Sequence, residues 1–380
     1  MNGKRNIFQE VGGDFNKNRK SEGGIIDSGR RRAQKLIRIW LMTLLFLVVL
    51  MIVIGGLTRL TDSGLSITEW NPVTGALPPM NANGWQVEFE KYRRIPEYNL
   101  QNKGMSLDEF KVIFWWEWGH RQLGRFIGLV WAAGFVGFLA FGKIPPGWTG
   151  RLLIPGILGG VQGLIGWWMV KSGLTGEMLD VASYRLAVHL GLAFVIAGLL
   201  FWYIMALSRE SLDLVQAHRY REKNLSIMSV GWLHLVFAQI LIGALVAGID
   251  AGRTYTDWPL MAGGIFPPKI WDENLGWRNL FENPGLVQFI HRVIGYFILI
   301  YALAAWSYGR KSSNRKTAAA FNMAFMILIV QIVLGIVTVL HVAPWYLAIM
   351  HQIMAILLWL SILRTRFLSN FPVFQKIDRM

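Results

Sequence analysis

Apolar runs of about 20 residues recur along this 380-residue chain, and they limit what it can fold into. That is the helix length needed to cross a hydrocarbon core of roughly 30 Å. The runs predict an all-α polytopic membrane protein with eight transmembrane helices, near 36–57, 117–141, 149–170, 184–207, 227–249, 286–309, 317–340 and 345–364. With 53% hydrophobic and only 16% charged residues, an ordinary soluble domain is excluded. The formal charge of +15 does not call for nucleic acid, because the basic residues cluster in particular loops and at both ends. Most of the 38 Lys and Arg fall on the side that holds both termini, so the positive-inside rule makes that side cytoplasmic. The expected home is a bacterial inner membrane, multi-pass, with both termini inside and lipid as the solvent of the spans. No cysteine is present, which removes disulfides, thiolate metal sites and cysteine nucleophiles.

The chain repeats itself. Thr68-Glu-Trp70-Asn-Pro72 is followed by Pro78-Pro79, and Thr256-Asp-Trp258-Pro259 by Pro267-Pro268; each segment follows the first span of four. Val161-Gln162-Gly-Leu-Ile-Gly166 matches Val330-Gln331-Ile-Val-Leu-Gly335. The expected organisation is a cytoplasmic tail over 1–35, read as disordered, then a four-helix bundle over 36–207. A polar cytoplasmic linker over 208–226, a second bundle over 227–364 and a tail over 365–380 complete the chain. An even number of spans per repeat leaves the two bundles parallel and related by a pseudo-twofold.

Spans two, four, six and eight run in one direction, and each carries a histidine near its start: His120, His189, His291 and His351. About five residues of helix puts them roughly 8 Å below the outer surface. Two facing imidazoles in a helix bundle can ligate a haem iron from both faces of the ring. A lone intramembrane histidine is more often a hydrogen-bonded packing residue, but four at one depth in matched repeats argue for ligation. Two histidines per half, with no third ligand, make an incomplete zinc site. His218, in the linker, and His234 and His341, without repeat counterparts, read as loop or structural residues.

Glu117, Arg121 and Arg125 surround His120 in Trp115-Trp116-Glu117-Trp118-Gly-His120-Arg121-Gln-Leu-Gly-Arg125, and Arg292 follows His291. Ionisable groups at membrane depth are costly and mark partners or sites. The arginines could pair with haem propionates through their forks, or serve as interfacial anchors and, for Arg121, as the partner of Glu117. Arg59 and Arg253 lie in matching outer segments and are weaker candidates. The tryptophans fit an interfacial belt or haem packing. One turn before the histidine, the first half has Glu117 and the second Gln288. A carboxylate can exchange protons and an amide cannot. The difference assigns a reactive haem to the first half and an electron-carrying one to the second.

With these residues in view, the chain resembles the haem A synthase family of the cysteine-free type. Gly55-Gly-Leu-Thr-Arg59 through Ser66, Glu69-Trp-Asn-Pro72, Phe114 through Arg125, His291-Arg292 and His351-Gln352 carry the resemblance across 36–364. It implies oxidation of the C8 methyl of haem O to the formyl of haem A, for terminal oxidases. It implies that His120 and His189 hold haem O, that His291 and His351 hold a haem b, and that Glu117 is catalytic. An electron donor is required that the sequence does not name. Haem O synthase and a second copy of the chain are the further partners it leaves open.

A dihaem electron-transfer cytochrome is the alternative, and the Glu117/Gln288 difference speaks against it. A transporter of parallel repeats would place polar residues at the midplane, whereas here they cluster near the outer face. No pair of aspartate-rich loops is present to hold magnesium diphosphate for prenyl transfer.

Overall fold

The computed structural model describes residues 25–174 and 180–375; 1–24 of the first tail and 376–380 of the second lie outside the described residues. Among the described residues there are twelve α-helices and no strand. They are α1 (Ile25–Leu60), α2 (Ala82–Tyr92), α3 (Pro96–Leu100), α4 (Leu107–Ala140), α5 (Thr149–Gly173), α6 (Ser183–Ala206), α7 (Ser211–Arg219), α8 (Lys223–Gly248), α9 (Asn279–Glu282), α10 (Pro284–Gly309), α11 (Arg315–Leu340) and α12 (Trp345–Asn370). Eight of them (α1, α4, α5, α6, α8, α10, α11 and α12) are long and apolar enough to span a bilayer, matching the eight expected runs.

The boundaries differ from the sequence reading where polar residues begin or prolong a helix. Helix α1 already starts at Ile25, within the tail read as disordered. Helix α4 starts ten residues before the expected position, because Ser106 and Glu109 form a reciprocal capping box. Helix α12 continues to Asn370, with Thr365 and Ser369 fully buried. The linker contains α7, and α8 begins inside it.

Helices α1, α6, α8 and α12 supply most of the core, through Ile37, Leu41, Phe194, Leu200, Trp232, Val236, Ile356 and Ile362. Helices α4, α5, α10 and α11 are more exposed along their apolar spans. Lipid tails are as apolar as leucine, so packing and interhelical hydrogen bonds must join the spans. Aromatic donors do part of this. Trp40 donates to Val130 O (3.0 Å), Trp131 to Leu152 O (3.1 Å), Trp359 to Phe194 O (2.9 Å) and Tyr301 to Met228 O (3.0 Å). Glycines meet the same rings: a Cβ at Gly134, Gly156 or Gly198 would collide with Trp40, Trp131 or Trp359.

Both described chain ends lie at one end of the bundle. Gln34 donates to Leu207 O at the end of α6, and Arg209 donates to Phe371 O after α12. The histidine-bearing ends are at the opposite side, beneath two long segments. The first, with α2 and α3, has its own core of Phe89, Tyr92, Ile95 and Tyr98 against Phe110 and Phe114 of α4. The second is organised by buried Asn279, which donates to Asp272 O and Gly276 O, and by Asn283, which caps α10.

Candidate functional site

Each of the four histidines packs into a notch made by a glycine on the preceding spanning helix. A Cβ added at Gly55 would lie 2.8 Å from Cε1 of His120; at Gly166, 3.1 Å from His189; at Gly243, 3.2 Å from His291; at Gly335, 2.9 Å from His351. The edge carrying Cε1 and Nδ1 faces the glycine each time, and Nε2 is the farther nitrogen. Nδ1 of all four is buried without a hydrogen-bond partner among the described residues. His234 and His341 behave differently: Nδ1 of each donates to the carbonyl four residues back, at 2.8 Å, on an exposed ring. Those two have the ordinary local satisfaction of a helical histidine, as the structural reading expects. His218, on α7, is half-buried and meets Nη1 of Arg221 through its Nε2; its Nδ1 is also buried without a partner among the described residues, so it is its place in the linker, away from any glycine notch, that sets it apart. The four notch histidines are turned away from their own helices. Within each half they are close enough that charge on His120 would act on His189, and charge on His351 on His291.

A second layer sits four residues before three of the glycines. Gln162 donates to the carbonyl of His189 at 2.9 Å. Gln239 donates to the carbonyl of His291 at 2.9 Å and lies 3.3 Å from its Nε2. Gln331 lies 3.3 Å from Nε2 of His351. The fourth position is Met51, whose methyl faces Gly124, one turn beyond His120. Sequence reasoning noted the glutamine–glycine pairs in spans three and seven but gave them no role. The same spacing at Gln239 and Gly243 was the signal that could have found the notches.

Glu117 is only 3% exposed, and both its oxygens are occupied. Oε2 accepts from the Ser66 hydroxyl (2.8 Å) and the Ile67 N–H (2.6 Å). Oε1 accepts from Nε and Nη2 of Arg121 (3.1 and 2.6 Å). Arg121 also donates to the carbonyls of Ile67 (2.7 Å) and Glu69 (2.9 Å). In the second half, Gln288 donates to Tyr255 O, and Arg292 to Tyr255 O, Asp257 O and Leu260 O, all at 2.9 Å. Ile67 and Tyr255 stand two residues before Glu69 and Asp257 in the matched segments. Equivalent arginines therefore hold equivalent carbonyls. The carboxylate and the amide hold the loop with opposite polarity: Glu117 accepts from the backbone, and Gln288 donates to it.

Arg125 donates to Asn71 O and Pro72 O, both at 2.9 Å, while its Nη1 is buried without a partner. The three arginines expected near propionates thus direct most of their donors to loop carbonyls. Arg121 and Arg125, with Phe114 and Trp118, line an outer cavity of about 300 Å³. Trp115 and Trp116 are exposed, as an interfacial belt requires. Arg59 binds Asp62 (2.8 Å), Asp250 (3.0 Å) and Asp180 (3.3 Å), joining outer segments of both halves. Arg253 is more exposed and, among the described residues, pairs with Asp250 alone, at 3.7 Å.

The imidazoles fit a haem in their chemistry. Nδ1 of each faces its glycine without a partner among the described residues, and Nε2 lies on the far side of the ring, where a glutamine amide meets it in His291 and His351; a haem would take Nε2, in the second half in place of that amide. The fold and this site define a polytopic α-helical membrane protein with paired histidines near one end of its spans. The chain belongs to a known family: residues 38–363 match the family described as cytochrome oxidase assembly protein. It is similar to the heme A synthase of Ruegeria sp. (strain TM1040), 61% identical over 371 residues covering 97% of each chain. The heme A synthases of Ruegeria pomeroyi (60%, 98% of each chain) and Paracoccus denitrificans (56%, 97% of each chain) are also similar.

Proposed function

We propose that the chain is a haem A synthase, a membrane oxidoreductase that converts the C8 methyl of haem O to a formyl by successive hydroxylations. Identity above half over nearly the full length, to relatives named for that activity, carries the reading. The electron-transfer cytochrome is disfavoured by the same relatives and by the Glu117/Gln288 difference.

His120 and His189 would hold haem O as substrate, and His291 and His351 a haem b. The iron supplies the oxygen and electron chemistry; the protein supplies position, charge and exclusion of water. The two halves act as parallel repeats, with both termini in the cytoplasm and the histidine ends toward the outer face of a bacterial inner membrane. Haem O carries a greasy tail, which suits a site open to lipid. The function calls for an electron donor and a supply of haem O, for which haem O synthase is the candidate partner; a second copy of the chain is a further candidate that the reaction itself does not require.

Glu117 stands one turn before His120 as a fixed negative charge. Four donors hold it in place beside Arg121, so it is preorganised to stabilise positive charge developing at the methyl carbon; to take a proton released there it would first give up one of those donors. Gln288 can do neither. Replacing Glu117 by Ala should leave haem bound and stop the reaction before the formyl stage, read by extraction and chromatography of the haems. A normal yield of haem A from that variant would end the role assigned to Glu117.

A further inference from the structure

The turn 51–56 of α1 presents two adjacent rows to different partners. Met51 and Gly55, four apart, face the α4 helix that carries His120: the methyl of Met51 meets Gly124, and Gly55 meets the imidazole. Ile52 and Gly56, also four apart, face α12. Gln352, the residue after His351, donates from its side-chain amide to Ile52 O at 2.7 Å. A Cβ at Gly56 would collide with the same amide. One short turn of α1 therefore touches a site histidine of the first half and the neighbour of a site histidine of the second.

The matched junction lacks this link. Gly55-Gly56 corresponds to Gly243-Ala244, and His351-Gln352 to His189-Leu190. There the contact is apolar, with buried Ala244 in a cluster against which Leu190 packs. An amide placed in only one of two equivalent junctions, with a glycine cleared to receive it, is a directed contact between the halves.

We infer that Gln352 is a positioning residue for His120, fixing the turn 51–56 of α1 and so the depth of the Gly55 notch. The second half thereby sets the geometry of the first half's histidine, with no direct contact between Gln352 and His120. The inference takes from the proposed function only that His120 is a site residue, and its test does not depend on turnover.

The test is acylation of individual histidines by diethyl pyrocarbonate, followed by mass spectrometry on the full-length chain in detergent, before and after haemin is added. Gln352→Leu copies the matched junction. Gln352→Glu keeps the shape but turns an acceptor toward the Ile52 carbonyl. Losing one such hydrogen bond should make His120 react about fivefold faster in both variants. His189 and the exposed His234 should keep their wild-type rates. Protection of His120 by haemin should weaken by a similar factor, and Gly56→Ala, which displaces the amide by contact, should reproduce the effect. Wild-type reactivity of His120 in all three variants would overturn the inference. So would equal acceleration at His189, which would mark general loosening rather than positioning.

Discussion

Replacing Gly55 by Ala tests the notch directly. The added methyl would lie 2.8 Å from Cε1 of His120. Carbon atoms rest about 3.5–4.0 Å apart, so the contact is roughly 1 Å too close. The adjacent row of the same turn is held by the Gln352–Ile52 bond, so α1 cannot simply retreat. The imidazole must move instead, and overpacking of this kind costs about 1–3 kcal/mol. If that cost falls on the bound geometry, haem affinity in the first half drops about 5- to 150-fold. Alanine favours helix over glycine by about 1 kcal/mol, so the chain should still fold. Gly335→Ala, at 2.9 Å from His351, should have the same effect on the second half. Gly166→Ala and Gly243→Ala, at 3.1 and 3.2 Å, ask for only a few tenths of an ångström and should cost less. Gly160→Ala meets nothing within 4 Å and serves as control. Haem content per chain and haemin titration of the detergent-purified protein give the ranking, with thermal unfolding to check the fold. Wild-type haem affinity in Gly55→Ala, or a loss in Gly160→Ala as large, would refute the notch.

The other predictions concern the outer segments. Arg292→Lys keeps the charge but not the fork, so the carbonyls of Asp257 and Leu260 lose a donor of fixed direction, while Tyr255 O keeps the one from Gln288. Opening of 253–263 should become easier by about 2 kcal/mol, seen as roughly 30-fold faster hydrogen exchange there; exchange within twofold of wild type would count against the clamp. Glu97 is 3% exposed in the first outer segment. Burial, and then the nearby Asp180 carboxylate, push its carboxyl up to about 8 from an ordinary 4.5. A raised folded value means its contribution is complete below about 4.5 and lost as pH rises through about 8. Protease resistance of residues 61–106 should therefore fall across that window in wild type and stay flat in Glu97→Gln, and parallel curves for the two would disprove it.

Much of this was legible in the sequence, for physical reasons. Membrane spans announce themselves by length and hydropathy, so all eight appear in the structure; α1 starts eleven residues earlier than expected, α4 ten earlier, where Ser106 and Glu109 cap it, and α12 ends six residues later, while the other ends agree within a few residues. The histidines could be picked out because ionisable groups are rare at that depth. The arginines were harder. Sequence shows a cation beside a histidine but not its acceptor, and the acceptors here are backbone carbonyls of loops 30 or more residues away. The glycine notches were legible only as a repeated Gln–Gly spacing, and the Gln352 link not at all, for a similar reason: a glycine's role depends on what approaches it, and the approaching residue lies on another helix.

The central claim is that each half holds one haem between its own two histidines. The direct measurement is the identity and axial ligation of haem retained by His120→Ala and by His291→Ala, from chromatography of extracted haems and low-temperature electron paramagnetic resonance. His120→Ala should lose haem O and haem A while keeping a bis-histidine haem b, and His291→Ala should lose the haem b signal. Loss of the same haem from both variants, or retention of bis-histidine signals for both haems in either, would contradict the account.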